Sequence, residues 1–257
     1  MTDEVLIERD GGVLVITFNR PAKKNALTRA MYQAAGEALA NAETDPTVRA
    51  VLIQGAGDGF TAGNDLSDFA AANRGEDGDR PRGASTLLQA LAKGTKPYVA
   101  AVHGVAVGVG VTMLLHCDLV FVADDARLST PFVNLALVPE AASSILLPAR
   151  IGHARAFAMF ALGEVVLGDQ AAAWGLANAA YPAAEVREKA LAAAHALAAR
   201  PLGSLVITKQ LMRDGAAILA QMEREVGHFS ERLKSAEAAE AFAAFRERRQ
   251  PDFSKVS

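Results

Sequence analysis

Tyr98-Val99-Ala100-Ala101-Val102-His103-Gly104-Val105-Ala106-Val107-Gly108-Val109-Gly110-Val111-Thr112 is the stretch that decides the fold class. Tyr98 to His103 is an apolar run of strand length that stops at Gly104. The spaced glycines that follow lead into an apolar helical pattern from Val105 to Leu115. Strand, glycine-rich turn, helix is the unit of an α/β protein. Gly108-x-Gly110 is not a dinucleotide fingerprint: the third glycine is missing and no acidic residue follows at the required distance. The simpler functional reading is a backbone N–H left free where the helix starts.

The same alternation extends outward on both sides. Val5–Glu8 and Val13–Asn19 read as strands joined by the turn Asp10-Gly11-Gly12. A helical pattern runs from about Leu27 to Ala42, with Leu27, Met31, Ala34, Ala38 and Leu39 on one side. Arg49–Gln54 is a buried strand, 55–64 a loop with four glycines, and Asp65–Asn73 a short helix. Arg74–Gly83 is polar and glycine-rich, the composition of a surface loop. Ala84–Ala92 is helical, and Leu119–Ala123 is a strand that turns at Asp124-Asp125. Beyond about Ile151 helices dominate: Ala154–Ala161, Asp169–Trp174, Ala183–Ala199, Leu202–Asp214 and Ile218–Phe245. The expected division is a core over 1–195 and a helical region over 196–257.

Bulk properties exclude several classes. The 257 residues are 51% hydrophobic with a net charge of −3, so a large core is available and no basic surplus drives nucleic-acid binding. No apolar run approaches the ~18 residues of a membrane span, and no targeting segment is apparent. The expected location is cytoplasmic. With Cys117 as the one cysteine, no intrachain disulfide or thiolate cluster can form. Cys117 and its neighbour His116 read as packed residues, and His103 likewise. No His/Asp/Glu group has metal spacing.

Two further segments carry chemistry. Phe60-Thr61-Ala62-Gly63-Asn64-Asp65-Leu66 follows a strand, and its small residues admit a ligand close to the backbone. Asp65 opens a helix whose N-terminus offers N–H groups; the plain alternative is a turn with Asp65 as its cap. Glu140 stands in an otherwise uncharged stretch from Leu128 to Pro148. Desolvation there raises a carboxyl pKa toward neutrality, which suits a proton shuttle. The competing reading is first-turn helix chemistry in Pro139-Glu140-Ala141.

Taken together, Asn19-Arg20-Pro21 with Asn25-Ala26-Leu27, Phe60 to Leu66, Ala101-Val102-His103-Gly104 with Gly108-Val109-Gly110, Cys117-Asp118, and Ala241-Phe242-x-x-Phe245-x-Glu247-Arg248-Arg249 resemble the crotonase superfamily, also called the enoyl-CoA hydratase/isomerase family. The resemblance covers about residues 4 to 253. It implies an α/β spiral of ββα units followed by a helical trimerisation region, assembled as a homotrimer or a dimer of trimers. It implies an acyl-CoA thioester substrate and no separate cofactor. By position, the oxyanion-binding amides would be those of Asn64 and Val109. The latter is commonly glycine in the family, and the added side chain would narrow the acyl pocket. Coenzyme A would contact Ala22, Lys23 and Lys24 and the backbone of Ala62, Gly63, Asp65 and Leu66, while 75–83 would border the acyl tunnel.

Hydratases of the family carry two glutamates, at positions where this chain has Thr112 and Phe132. The context of Glu140, from Thr130-Pro131-Phe132 to Ser143-Ser144, is similar to peroxisomal-type Δ3,Δ2-enoyl-CoA isomerases, in which one glutamate acts alone. The resemblance therefore implies an isomerase with Glu140 as acid and base. A hydratase or other crotonase reaction, and a non-catalytic acyl-CoA-binding paralogue, remain the alternatives.

Overall fold

A computed structural model describes residues 3–74 and 86–256. β1 (Val5–Asp10) and β2 (Val13–Phe18) form the expected hairpin. α1 (Arg29–Thr44) begins two residues later than its pattern because the Thr28 hydroxyl caps it, accepting from the Met31 N–H at 3.3 Å. β3 (Ala50–Gly55), α2 (Leu66–Asn73), α3 (Thr86–Lys93) and β4 (Tyr98–Val102) follow.

The single helix expected over Val105–Leu115 is instead β5 (Val105–Val107), α4 (Val109–Thr112) and a 3₁₀ turn, Met113–His116. The β-branched valines pair in parallel with β7 (Arg127–Ser129), which lies after β6 (Leu119–Ala123). Next come α5 (Ser143–Ile151), α6 (His153–Phe157), a π-helical turn at Ala158–Leu162, β8 (Val166–Leu167), α7 (Gly168–Trp174) and β9 (Ala179–Tyr181). The chain ends in α8 (Val186–Ala198), α9 (Leu202–Met212), α10 (Gly215–Leu233) and α11 (Ala236–Glu247). The last two were expected as one helix. Ser235 divides them, its hydroxyl accepting from the Ala238 N–H at 3.1 Å.

The main sheet has the order β1-β2-β3-β4-β6-β9, parallel except for β1; the second sheet is β5-β7-β8. β2 and β4 are buried along their whole length, as strands covered on both faces must be. α8 packs on β2, β3, β4 and β6, and so belongs to the sheet layer although it crosses residue 195. α10 and α11 return to pack on α2 and α3 and on the turn at Val133–Leu135. No single helix among the described residues is long and apolar enough to cross a membrane.

Buried cations fasten these layers. Lys96 Nζ donates to the carbonyls of Ala42, Asp45 and Val48 around the C-terminus of α1. Lys209 on α9 reaches the Asp118 carboxylate and the Lys96 carbonyl, both at 2.8 Å, and lies 4.0 Å from the Tyr98 ring centroid. Asp118 thus holds α9 to the sheet.

Candidate active site

Two chain segments run side by side at the heart of the molecule. The Thr61 N–H donates to the Val105 carbonyl at 3.0 Å, and the Val107 N–H donates to the Thr61 carbonyl at 3.1 Å. This parallel register pairs Thr61 with Ala106, while Asn64, three residues on, bridges to Leu27. Gly63 lies at φ +86°, and a Cβ there would stand 2.6 Å from the Val107 carbonyl oxygen, so only glycine lets the strands approach. Gly108 turns β5 into α4 at φ +56°. A Cβ at Gly108 would meet nothing within 4 Å, so the demand is conformational rather than steric.

Among the described residues, neither the Asn64 N–H nor the Val109 N–H has an acceptor. Val109 is fully buried. An unpaired buried amide costs about 1–3 kcal/mol, and such a group calls for an explanation. The Val109 side chain belongs to the hydrophobic core, as does that of Phe132, which packs on Phe160 with ring centroids 5.9 Å apart.

Glu140 is tied to α4, the helix that Val109 opens. The Thr112 hydroxyl, one turn beyond Val109, donates to Glu140 Oε1 at 2.5 Å. The Glu140 pKa rises to about 7: desolvation is the main cause, the Thr112 hydrogen bond opposes it, and the charge of Glu225 adds to it. Protein surrounds the carboxyl closely, yet Glu140 keeps part of its surface open. The residue is half-buried, not turned out to bulk solvent. The first-turn reading does not hold: α5 starts three residues later, after Ala141 (φ +61°) and Ala142 (φ +57°).

Tyr32 on α1 completes the neighbourhood. Its hydroxyl donates to Asn64 Oδ1 at 2.6 Å. Its pKa is pushed well up by burial and then by the charge of Glu140, so it remains a neutral phenol.

The loop behind Glu140 is fixed from two sides. His116 Nε2 lies 2.8 Å from the Ala141 carbonyl, and Arg213 lies against Nδ1. Burial and the Arg213 charge depress the His116 pKa to about 3, so the ring is neutral with the proton on Nε2. Glu225 on α10 accepts from the Ala142 N–H at 2.6 Å and the Ser144 N–H at 3.1 Å. Cys117 is buried and its thiol is pushed up to about 12, chiefly by desolvation. His103 is buried too, with Nε2 2.9 Å from the Gly57 carbonyl.

The two segments expected to contact coenzyme A also meet. The Ala62 N–H donates to the Lys24 carbonyl at 2.8 Å, and the Leu27 N–H to the Gly63 carbonyl at 2.7 Å. Asn25 is the reason: its amide donates to the carbonyls of Ala56 and Gly59 and its oxygen accepts from the Arg20 N–H. Ala22, Lys23 and Lys24 are left exposed. The Asp65 carboxylate is engaged by Ser67 and by Arg20 at 2.8 Å, which hold its pKa below the usual carboxylate range. Leu66 opens α2; its side chain and the 75–83 segment lie outside the described residues. No group of three metal-ligating side chains occurs among the described residues.

The family model "Enoyl-CoA hydratase/isomerase" matches residues 8–256. The chain belongs to the enoyl-CoA hydratase/isomerase family. It is 37% identical to enoyl-CoA delta isomerase 2 of Rattus norvegicus over 94% of this chain and 63% of the rat protein, so it spans under two thirds of that relative. It is 32% identical to a probable enoyl-CoA hydratase of Bacillus subtilis, over 95% of this chain and 96% of that one. OdaA of Pseudomonas aeruginosa shares the fold with a TM-score of 0.88 and 45% identity, covering 95% of this chain and 99% of its own. The protein thus has the crotonase fold.

Sequence reading named Glu140, Asn64 and Val109 as candidates and did not single out Tyr32, Glu225 or the hydrogen bond of Thr112 to Glu140. Tyr32 sits on a helix face that also carries core residues, and Glu225 in an ordinary charged heptad-like run. Nothing local distinguishes either.

Proposed function

We propose that this protein shifts the double bond of a 3-enoyl-CoA to the 2-position, with Glu140 as the single acid/base. The carrying observation is the Glu140 carboxyl, with its pKa at about 7, hydrogen-bonded to Thr112 on the helix that Val109 opens. Thr112 supplies a hydroxyl where a second carboxylate would be needed for hydration, and it is spent on Glu140. The other nearby carboxylate, Glu225, is occupied by main-chain donors.

In this reading the Glu140 carboxylate removes a proton from C2. The C2–H electron pair enters the conjugated system, and the thioester oxygen becomes negative between the Asn64 and Val109 amides. Glu140 then delivers the same proton to C4; the C3–C4 double bond becomes C2–C3, with no net gain or loss of atoms. A pKa near the working pH lets one group both take and return the proton. Ala22–Lys24 and the backbone of Ala62–Leu66 hold coenzyme A, with Lys23 and Lys24 facing its phosphates, and no further cofactor takes part. The acting form is a homotrimer or dimer of trimers in the cytoplasm, with the helices after α8 serving assembly.

Glu140→Gln tests the assignment. Conversion of a 3-enoyl-CoA to its conjugated isomer, followed by ultraviolet absorbance, should be abolished while calorimetry still records thioester binding. Undiminished turnover would sink it.

A further inference from the structure

We propose that Glu225 is a positioning residue for Glu140: from α10 it clamps the Ala141–Ala142 turn, and its negative charge acts on Glu140 across that turn. The proposal deepens the isomerase reading and rests on Glu140 as its proton shuttle.

The turn needs a clamp. Ala141 and Ala142 are both left-handed, a conformation that costs an L-residue about 1–2 kcal/mol. Strain of this kind persists only where the surroundings over-determine it. The N-cap of α5 is Ala142, which has no side chain able to cap. The missing acceptor comes from more than eighty residues away in sequence. Glu225 Oε2 takes the Ala142 N–H at 2.6 Å, and Oε1 takes the Ser144 N–H at 3.1 Å together with the Ser144 hydroxyl. Gln221, one turn earlier on α10, donates to the Ser144 hydroxyl at 2.9 Å and fixes its direction. Glu225 is 5% exposed. Both its oxygens face donors, which is the arrangement of an ionised carboxylate rather than a carboxylic acid.

A negative charge buried this close to Glu140 must favour its protonated form. Burial raises the Glu225 pKa in turn, while the bonds from Ser144 and Ala142 oppose the rise. The other titratable groups around the turn are Tyr32 on α1, neutral His116, Arg213 just after α9, Arg150 on α5 and Arg232 on α10. The three arginines are engaged with His116, with the Leu115 and Cys117 carbonyls, and with Ala136 and Glu237, respectively. Among the described residues, none forms an ion pair with Glu140 or Glu225.

The test is carbon NMR of protein labelled at the glutamate carboxyls, with the Glu140 signal assigned by its loss in Glu140→Gln. The wild-type Glu140 midpoint is expected at about 7. In Glu225→Gln it should fall by about one pH unit; at pH 9, where Glu140 is ionised in both proteins, release of the turn should lower kcat about tenfold with KM little changed. Coupling is reciprocal, so Glu140→Gln should lower the Glu225 midpoint by the same amount. A Glu140 midpoint unmoved in folded Glu225→Gln overturns the proposal. Should that variant fail to fold, an unmoved Glu225 midpoint in Glu140→Gln overturns it instead. If both midpoints move but the wild-type protein has no isomerase turnover, the coupling stands and the isomerase reading falls.

Discussion

In the proposed mechanism, the hydrogen bond from Thr112 tunes Glu140 as the proton shuttle. The bond stabilises the carboxylate against the desolvation that raises its pKa. Glu140 must be ionised to take the first proton, so kcat/KM should rise with pH through about 7 and level off above it. Thr112→Val removes the bond and should move that midpoint upward by about one pH unit. Activity at pH 7 would then fall several-fold and return at pH 9; a profile that stays put or moves down would contradict the role given to Thr112. Stability carries the same signature. The folded pKa lies above the ordinary 4.5, so stability is complete below that value and is lost as pH rises through about 7. Glu140→Gln should therefore melt higher than wild type at pH 8, by up to about 3 kcal/mol, and equally at pH 4. Equal melting at both pH values would mean that Glu140 is an ordinary exposed acid. This site was legible because a lone acid in an uncharged stretch is visible in one dimension. Tyr32 and Glu225 were not, because their partners lie 32 and more than eighty residues away in sequence.

At the scale of elements, the decisive feature is the short β5–α4 joint. Val105–Val107 read as the start of a helix because the apolar run is continuous and its strand partner, Arg127–Ser129, is distant and carries a charge. Pairing, not propensity, makes it a strand. The break between α10 and α11 was missed for the opposite reason: Ser235 is a plain cap signal, drowned by an Ala- and Glu-rich run of high helix propensity on both sides. The long, strongly periodic elements and the β1–β2 hairpin were recoverable because their signals are local. Gly108 joins β5 to α4 and sets where the Val109 amide stands. Gly108→Ala meets no steric neighbour but must leave φ +56° or bear strain of about 1–3 kcal/mol. The fold should persist by circular dichroism while the Val109 N–H is displaced. Loss of one oxyanion donor lowers kcat by about 10²–10³, and KM should change much less. A fully active Gly108→Ala protein would remove Val109 from the site.

For the whole molecule, the C-terminal helices have two faces with different tasks. Inward, Lys209, Arg213 and Glu225 reach Asp118, His116 and the turn behind Glu140, so this region is part of the site's scaffold. Outward, α9 leaves Ile207, Leu211 and Met212 exposed, the last two at 83%. Ile207 and Leu211 are four residues apart and therefore share a face. Burying each such side chain is worth about 1.5–3 kcal/mol, which water denies to an isolated chain. An adjoining copy of the chain is the occupant that the family resemblance implies, and a three-fold arrangement would bury this face three times over. Light scattering should then give a particle of three or six times the 26.9 kDa chain. Leu211→Glu with Met212→Glu should shift it toward the single-chain mass. Because these side chains point away from the core, the NMR midpoint of Glu140 should survive the change. A wild-type mass of one chain, or a doubly substituted protein of undiminished mass, would show that α9 is not the assembling face.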